Sequence, residues 1–248
     1  MEYTKQREKH TKKEIPIFAH RGVSGHFPEN TMEAFEASRK AGVSGVELDV
    51  QLTKDGTVVI IHDEKVDRTT NGHGYVKDLT DQEIFTLDAG GWFHPDYSGA
   101  KIPTLEEFFL WAVQENNQLI INIELKNDIV DYKGLEERVI SLIEKYHLED
   151  RIILSSFNWE SLRKVRNLKP AIDIALLVKG IQEKAITAAK ALHATALHTE
   201  INFARSKYGK IACEEGLLLR IYTINDGIDI QSLSLKVDCI MTDFPERF

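Results

Sequence analysis

The chain has 248 residues, 42% of them hydrophobic and 28% charged, which excludes general disorder and gives enough chain for one large domain. No apolar run approaches the ~20 residues that span a bilayer, so stable membrane insertion is not expected. Lysine and arginine number 31 against 39 acidic residues, a net charge of −8, which speaks against nucleic acid as a partner. A small anionic substrate stays open, because a metal ion and a few local cations can make one positive pocket in an acidic protein. Residues 1–14, MEYTKQREKHTKKE, carry no apolar secretion core and read as a flexible arm. Two cysteines, Cys213 and Cys239, are too few for a disulfide framework and read as small hydrophobes; a cytoplasmic protein with reduced thiols follows.

From residue 15 onward short apolar runs alternate with amphipathic stretches. The expected strands are Ile15–Ala19, Gly45–Val50, Leu119–Glu124, Arg151–Ser155, Ile172–Leu177, Ala194–His198, Leu218–Thr223 and Val237–Met241. The expected helices cover Asn30–Ala41, Thr104–Gln114, Leu135–Tyr146, Trp159–Leu168, Gln182–Leu192, Ala204–Glu214 and Ile228–Leu233. Asn30, with Glu33 three residues on, reads as an N-cap; Thr104 with Glu107 reads as a capping box ahead of Leu105, Phe108, Phe109 and Ala112. Such alternation requires parallel strands with right-handed crossovers, and its length fits an α/β (β/α)8 TIM barrel; a doubly wound open sheet is the alternative. No glycine-rich phosphate loop follows the first strand. Residues 63–103 break the alternation and are read as a small insertion after the second strand, in a single barrel domain of residues 15–248. Within it Trp92, Phe93 and Tyr97 are expected to form a local core, and His94 is a candidate for the entrance.

In such a barrel chemistry sits at the C-terminal ends of the strands. The first strand ends in His20-Arg21-Gly22, the second carries Glu47 and Asp49, and the third ends in Glu124-Leu125-Lys126. Asp55-Gly56 reads as a two-residue hairpin turn, which pairs 54 with 57, 52 with 59 and 50 with 61. That register sets Asp49 opposite His62, with Glu47 on the same face. Glu47, Asp49 and Glu124 offer oxygen ligands without cysteine, a set suited to Mg2+ or Ca2+. Three like charges also need a cation to be stable together. His20 and His62 titrate near neutrality and suit acid–base work. Arg21 and Lys126 suit a phosphate group. The combination describes a phosphodiester-cleaving site.

The motifs AHRG at Ala19–Gly22, PENT at Pro28–Thr31, VELDVQLTKDG at Val46–Gly56 and IIHD followed by DRTTNG all stand in order. IPTLEE at Ile102–Glu107, NIELK at Asn122–Lys126, SSF at Ser155–Phe157 and VDCIMTDFP at Val237–Pro245 complete the set. Each motif alone is weak. Together, over residues 15–248, they resemble the glycerophosphodiester phosphodiesterase family. The resemblance implies hydrolysis of small-molecule glycerophosphodiesters to sn-glycerol 3-phosphate and an alcohol such as choline or ethanolamine. It implies Glu47, Asp49 and Glu124 as metal ligands, His20 and His62 as the acid–base pair, and Arg21 and Lys126 as phosphate contacts. His62 is read as the acid for the leaving alcohol and His20 as the aid to the nucleophile; the reverse assignment fits the same motifs. The nucleophile is water or a glycerol hydroxyl that first closes a cyclic phosphate. One departure stands out. Many members present tryptophan in a WTxN pattern on the seventh strand, where this chain has Tyr222-Thr223-Ile224-Asn225, an aromatic substrate wall with a hydroxyl added.

Competing readings were a lysophospholipase D-like diesterase, which needs an apolar patch for a lipid tail, and a noncatalytic phosphate-binding barrel, which needs no complete histidine pair. A glycosidase pairing Glu47 with Glu124 leaves both histidines and Arg21 without a role. Arg21 and Lys126 also have a structural alternative, pairing with the carboxylates to organise the site, and Glu29 is either part of the site floor or a surface residue.

Overall fold

The computed structural model describes residues 15–227, 233, 235 and 237–248. The arm expected over residues 1–14 and residues 228–232 of the last expected helix lie outside the described residues. Eight parallel strands form the wall: β1 (Ile17–His20), β2 (Gly45–Leu52), β4 (Ile120–Leu125), β5 (Ile152–Ser156), β6 (Asp173–Val178), β7 (Ala196–Thr199), β8 (Leu218–Ile221) and β9 (Cys239–Thr242). β1 pairs with both β2 and β9, so the sheet closes into a (β/α)8 TIM barrel and is not a doubly wound open sheet. A ninth strand, β3 (Val58–Ile60), runs antiparallel on β2.

The sequence GVELDVQL of β2 shows why this wall carries chemistry. Val46, Leu48 and Val50 point outward and pack with Ile121, Ile123 and Leu125 in the main apolar cluster beneath the helices. Glu47, Asp49 and Gln51 take the alternate face. All eight residues of the strand are buried, so its polar members lie inside the barrel and not in solvent.

The outer helices are α1 (Met32–Ala41), α3 (Leu105–Ala112), α4 (Leu135–Tyr146), α5 (Trp159–Leu168), α6 (Lys184–Ala191), α7 (Ile201–Arg205) and α8 (Lys207–Glu214), with α2 (Asp81–Thr86) between β3 and α3. α4 and α5 keep the expected bounds. The Thr104 box forms as read: Thr104 Oγ1 accepts from the Glu107 N–H at 3.0 Å, and Glu107 Oε2 accepts from the Thr104 N–H at 2.8 Å. Two expectations need correction. α1 is capped by Thr31, whose hydroxyl accepts from the Ala34 N–H, and Asn30 is turned into the barrel instead. The helix expected over 204–214 is split, because Ser206 ends α7 and its hydroxyl caps α8 through the Tyr208 and Gly209 N–H groups.

The hairpin differs from expectation by one residue. Val50 faces Ile60, Gln51 faces Val59 and Leu52 faces Val58. The Thr53 N–H donates to Thr57 O and the Gly56 N–H to Thr53 O, each at 3.0 Å. The loop is therefore three residues, Lys54-Asp55-Gly56, with Gly56 in the left-handed region at φ +87°. A one-residue slip exchanges the faces of a strand. Asp49 consequently lies opposite Ile61, whose N–H donates to Asp49 O at 3.0 Å, and not opposite His62.

Between β3 and α3 the chain holds two 3-10 turns, Val76–Asp78 and Pro95–Tyr97, and α2, which has its own capping box from Thr80 and Glu83. Val59, Ile61, Val66, Val76, Ile84, Ala89 and Ile102 form a separate apolar cluster. The aromatics expected there do not build it: Trp92 is exposed and Phe93 and Tyr97 are half-buried, stacked edge-on in sequence. No described helix is long and apolar enough to cross a membrane.

Candidate active site

A cavity of about 290 Å³ opens at the C-terminal ends of the strands, lined by His20, Arg21, Glu47, His62, Glu124 and Tyr222 among others. Register accounts for the acidic cluster. Asp49 on β2 is the direct partner of Glu124 on β4, and Glu47 lies two residues earlier on the same face. Ligand oxygens of the three carboxylates lie within 4.8 Å of one another. Each carboxylate has one oxygen held by the chain. Glu47 Oε2 accepts from the Arg21 N–H at 2.9 Å, Asp49 Oδ2 from Asn30 Nδ2 at 2.9 Å, and Glu124 Oε1 from Lys126 Nζ at 3.0 Å. Asp49 Oδ1 is buried without a partner.

The electrostatics of this cluster are those of a cation site. Burial first, then the Asp49 and Glu124 charges, push Glu47 well above the usual carboxylate range. Burial and the Asp49 charge push Glu124 up to about 7, against the pull of Lys126. Asp49 moves the other way: burial opposes its ionisation, but Arg21, His62, Lys126 and Asn30 hold it low. One carboxylate is thus charged at the expense of its neighbours, the strain that a divalent ion relieves. An all-oxygen set with an orphaned buried oxygen fits a hard cation.

The two histidines present the same arrangement. His20 Nδ1 lies 2.7 Å from Asp243 Oδ1, and His62 Nδ1 lies 2.7 Å from Asp63 Oδ1. Hydrogen bonds from Arg68 outweigh burial and, with one from His62, hold Asp63 far below the usual range. Burial opposes ionisation of Asp243, yet its bond to His20, with Asn225 and Ser24, brings it down to about 2. Ionised carboxylates only accept, so each Nδ1 carries the proton and each Nε2 is left for chemistry. His62 Nε2 lies 3.4 Å from Lys126 Nζ. Burial lowers the His62 pKa; Asp49 raises it, while Arg21 and Lys126 push it down.

Arg21 donates from Nη1 to Glu29 Oε1 at 2.8 Å, and its Nε lies 3.4 Å from Asp49 Oδ2. Lys126 is buried with its amine on Glu124. Both cations therefore organise carboxylates, and Arg21 also lines the cavity. Tyr222 lines the wall edge-on to Phe157, and its hydroxyl donates to Val178 O of β6 at 3.0 Å, so the ring alone faces the cavity. His94 is exposed and caps the turn 95–97 instead of lining the cavity.

Sequence reasoning left out Asp63, Asp243, Asn30 and Arg68. Asp63 stands inside the IIHD motif and Asp243 at the end of the last strand, so position alone was a signal for both. Arg68 stands inside DRTTNG, a signal of the same kind: it holds Glu29 and Asp63 together, with Nη1 and Nη2 on Glu29 at 2.8 Å and Nε on Asp63 at 2.7 Å.

The profile of the glycerophosphoryl diester phosphodiesterase family matches residues 20–247. A glycerophosphodiester phosphodiesterase of Bacillus altitudinis is 42% identical over 93% of this chain and 95% of its own. One of Caldanaerobacter subterraneus subsp. tengcongensis is 43% identical over 93% and 94%. Among solved structures, an Oleispira antarctica phosphodiesterase in complex with the product sn-glycerol-3-phosphate is 30% identical, with a TM-score of 0.82 over 93% of this chain and 94% of that one. Fold, mouth and sequence agree: the chain belongs to the glycerophosphoryl diester phosphodiesterase family.

Proposed function

We propose that the mouth hydrolyses glycerophosphodiesters to sn-glycerol 3-phosphate and an alcohol by a metal-dependent acid–base reaction with two histidines. The observation that carries this reading is the pair of imidazoles, each pinned at Nδ1 by a carboxylate, facing one cavity with three clustered carboxylates. Glu47, Asp49 and Glu124 would hold Mg2+ or Ca2+, which when bound offsets charge on the phosphoryl oxygens. Arg21 and Lys126 orient the phosphodiester anion from two sides. His20 Nε2 takes the proton of the nucleophile, either water or a glycerol hydroxyl, as its oxygen bonds to phosphorus. The phosphorus–oxygen bond to the alcohol breaks, and His62 Nε2 gives that oxygen its proton; on the hydroxyl route water then opens the cyclic phosphate to glycerol 3-phosphate, the histidines exchanging roles. In the free protein burial first, and then Arg21 and Lys126, disfavour a charged His62; the negative charge of a phosphodiester offsets the two cations and favours the proton that His62 delivers. Tyr222 walls the substrate. Residues 63–103 act as an insertion at the mouth, with Arg68 as its arm.

The test is a coupled assay for released glycerol 3-phosphate across several glycerophosphodiesters. Activity is expected to vanish in EDTA and to return with Mg2+ or Ca2+. Full turnover in chelator would remove Glu47, Asp49 and Glu124 from the reading.

A further inference from the structure

The slipped hairpin register poses a physical question. Regular pairing at that register sends the side chain of residue 62 away from the face of Asp49, yet His62 lines the cavity. β3 ends at Ile60; Ile61 keeps one bond to β2, from its N–H to Asp49 O, but its carbonyl and residues 62–63 have left the strand pair where His62 turns inward. One side chain gathers this segment. Gln51, fully buried on the same face of β2 as Glu47 and Asp49, donates from Nε2 to the carbonyls of Ile61 and His62 at 3.0 Å and of Asp63 at 2.8 Å. Three successive carbonyls aimed at one point repel one another, and only a donor makes that curl favourable.

The amide itself is fixed. Tyr132 Oη donates to Gln51 Oε1 at 2.7 Å. Carbonyls accept only, so the nitrogen must face residues 61–63 and the oxygen must face Tyr132. Tyr132 is buried, and its N–H donates to Asn127 Oδ1 at 2.9 Å. Asn127 in turn donates to Glu136 Oε1 of α4 at 2.9 Å. A chain of hydrogen bonds thus runs from α4 through the loop after β4 to the backbone of His62.

We propose that Gln51 is a positioning residue: its amide, oriented by Tyr132, takes the place of strand pairing and sets the His62 imidazole at the mouth. This inference rests on the reading of His62 as the proton donor. A displacement of about 1 Å in a reacting group can cost ~10²-fold in rate, so the clamp is expected to appear in kcat.

The experiment compares Gln51→Met, Tyr132→Phe and His62→Ala on two probes. Glycerophosphocholine has a leaving alcohol that needs a proton. The p-nitrophenyl diester of glycerol 3-phosphate has a leaving phenolate that does not. Gln51→Met keeps the volume and removes the donor. It is expected to lower kcat on glycerophosphocholine by about 10- to 100-fold, with KM within about twofold and a much smaller loss on the nitrophenyl diester. Tyr132→Phe removes one oxygen and is expected to follow the same pattern at about 3- to 10-fold, the effect of one hydrogen bond. Mg2+ affinity of Tyr132→Phe should match the wild type, and its loss should stay larger on glycerophosphocholine than on the nitrophenyl diester, a selectivity that a merely structural role would not give. If Gln51→Met does not fold, Tyr132→Phe carries the test alone.

Wild-type turnover in both clamp variants overturns the inference. So does an equal loss on both probes where His62→Ala is selective. If His62→Ala loses both probes equally, the donor role falls, and the clamp stands provided its variants copy that pattern. If His62→Ala turns over like the wild type, the reading of His62 falls and the clamp falls with it.

Discussion

The two histidine arms use one contact built at two stiffnesses. His20 closes β1 and Asp243 follows β9, which is hydrogen-bonded to β1, so imidazole and carboxylate both hang on the barrel wall. Asp243 is further fixed by Ser24 at 2.9 Å and Asn225 at 2.7 Å. His62 and Asp63 are sequence neighbours beyond a three-residue strand, and Asp63 is held by Arg68, whose side chain is 43% exposed. The wall supplies the first arm with rigidity from the core; the second depends on side chains gathered around a loop. Damage to the His20 arm should therefore reach stability as well as rate, and damage to the His62 arm should reach chiefly rate.

The largest effect is expected at the imidazoles themselves. His62→Ala and His20→Ala should each lower release of glycerol 3-phosphate by ~10²- to 10⁴-fold, the range of general acid–base catalysis. Cation affinity, read by Mg2+ titration, should survive both. A large loss in only one variant would mean that the arms are not functional counterparts.

The orienting carboxylates come next and separate the arms most sharply. Asp63→Asn and Asp243→Asn should each cost about 10- to 100-fold in kcat by loosening an imidazole. Asp243→Asn should also lower the unfolding free energy in urea, by about 1–3 kcal/mol, because one of the two oxygens that serve half-buried His20, Ser24 and Asn225 is replaced by a donor; Asp63→Asn should lower it less, because its main partner Arg68 is the more exposed. The sign of the pH dependence follows. The folded Asp243 carboxyl is held at about 2, below its unfolded value, so its contribution is complete above about pH 4 and is lost as pH falls toward 2. Wild type should lose this increment between about pH 4 and 2 while Asp243→Asn does not.

The same contrast decides what the sequence made legible. The polar–apolar alternation of GVELDVQL put Glu47 and Asp49 on one face, and parallel pairing with NIELK brought Glu124 beside them; both signals are local. The Asp55-Gly56 turn was ambiguous, because the same dipeptide suits a two-residue turn and a three-residue loop ending in a left-handed glycine. The structure chooses the latter with a contact far away in sequence: the hydroxyls of Thr53 and Thr57 both donate to Asp81 at 2.6 Å. The inward position of His62 was anticipated on a register that does not occur. Helix α2 was overlooked although Thr80 and Glu83 repeat the Thr104–Glu107 box, because six residues with Ile84 as the single buried member show no period. The contact of Asp243 with His20 spans 223 residues, and no local pattern carries it.

The smallest expected effect tests how soft the second arm is. Arg68 grips Asp63 and Glu29 at once, and Glu29 also takes Arg21, so one exposed guanidinium connects the partner of His62 to Arg21 at the cavity. Water screens such pairs to about 0.2–1 kcal/mol each, which corresponds to about a two- to fivefold fall in kcat for Arg68→Ala. The loss should shrink as salt is added, and the melting temperature should fall by no more than about 2–4 °C. In an Asp63→Asn background Arg68→Ala should cost less than it does alone, since the two act on one imidazole and are not additive. Full additivity would route Arg68 through Glu29 and Arg21 instead. A loss equal to that of His62→Ala would make this loop as rigid as the barrel wall, and the contrast between the arms would fail.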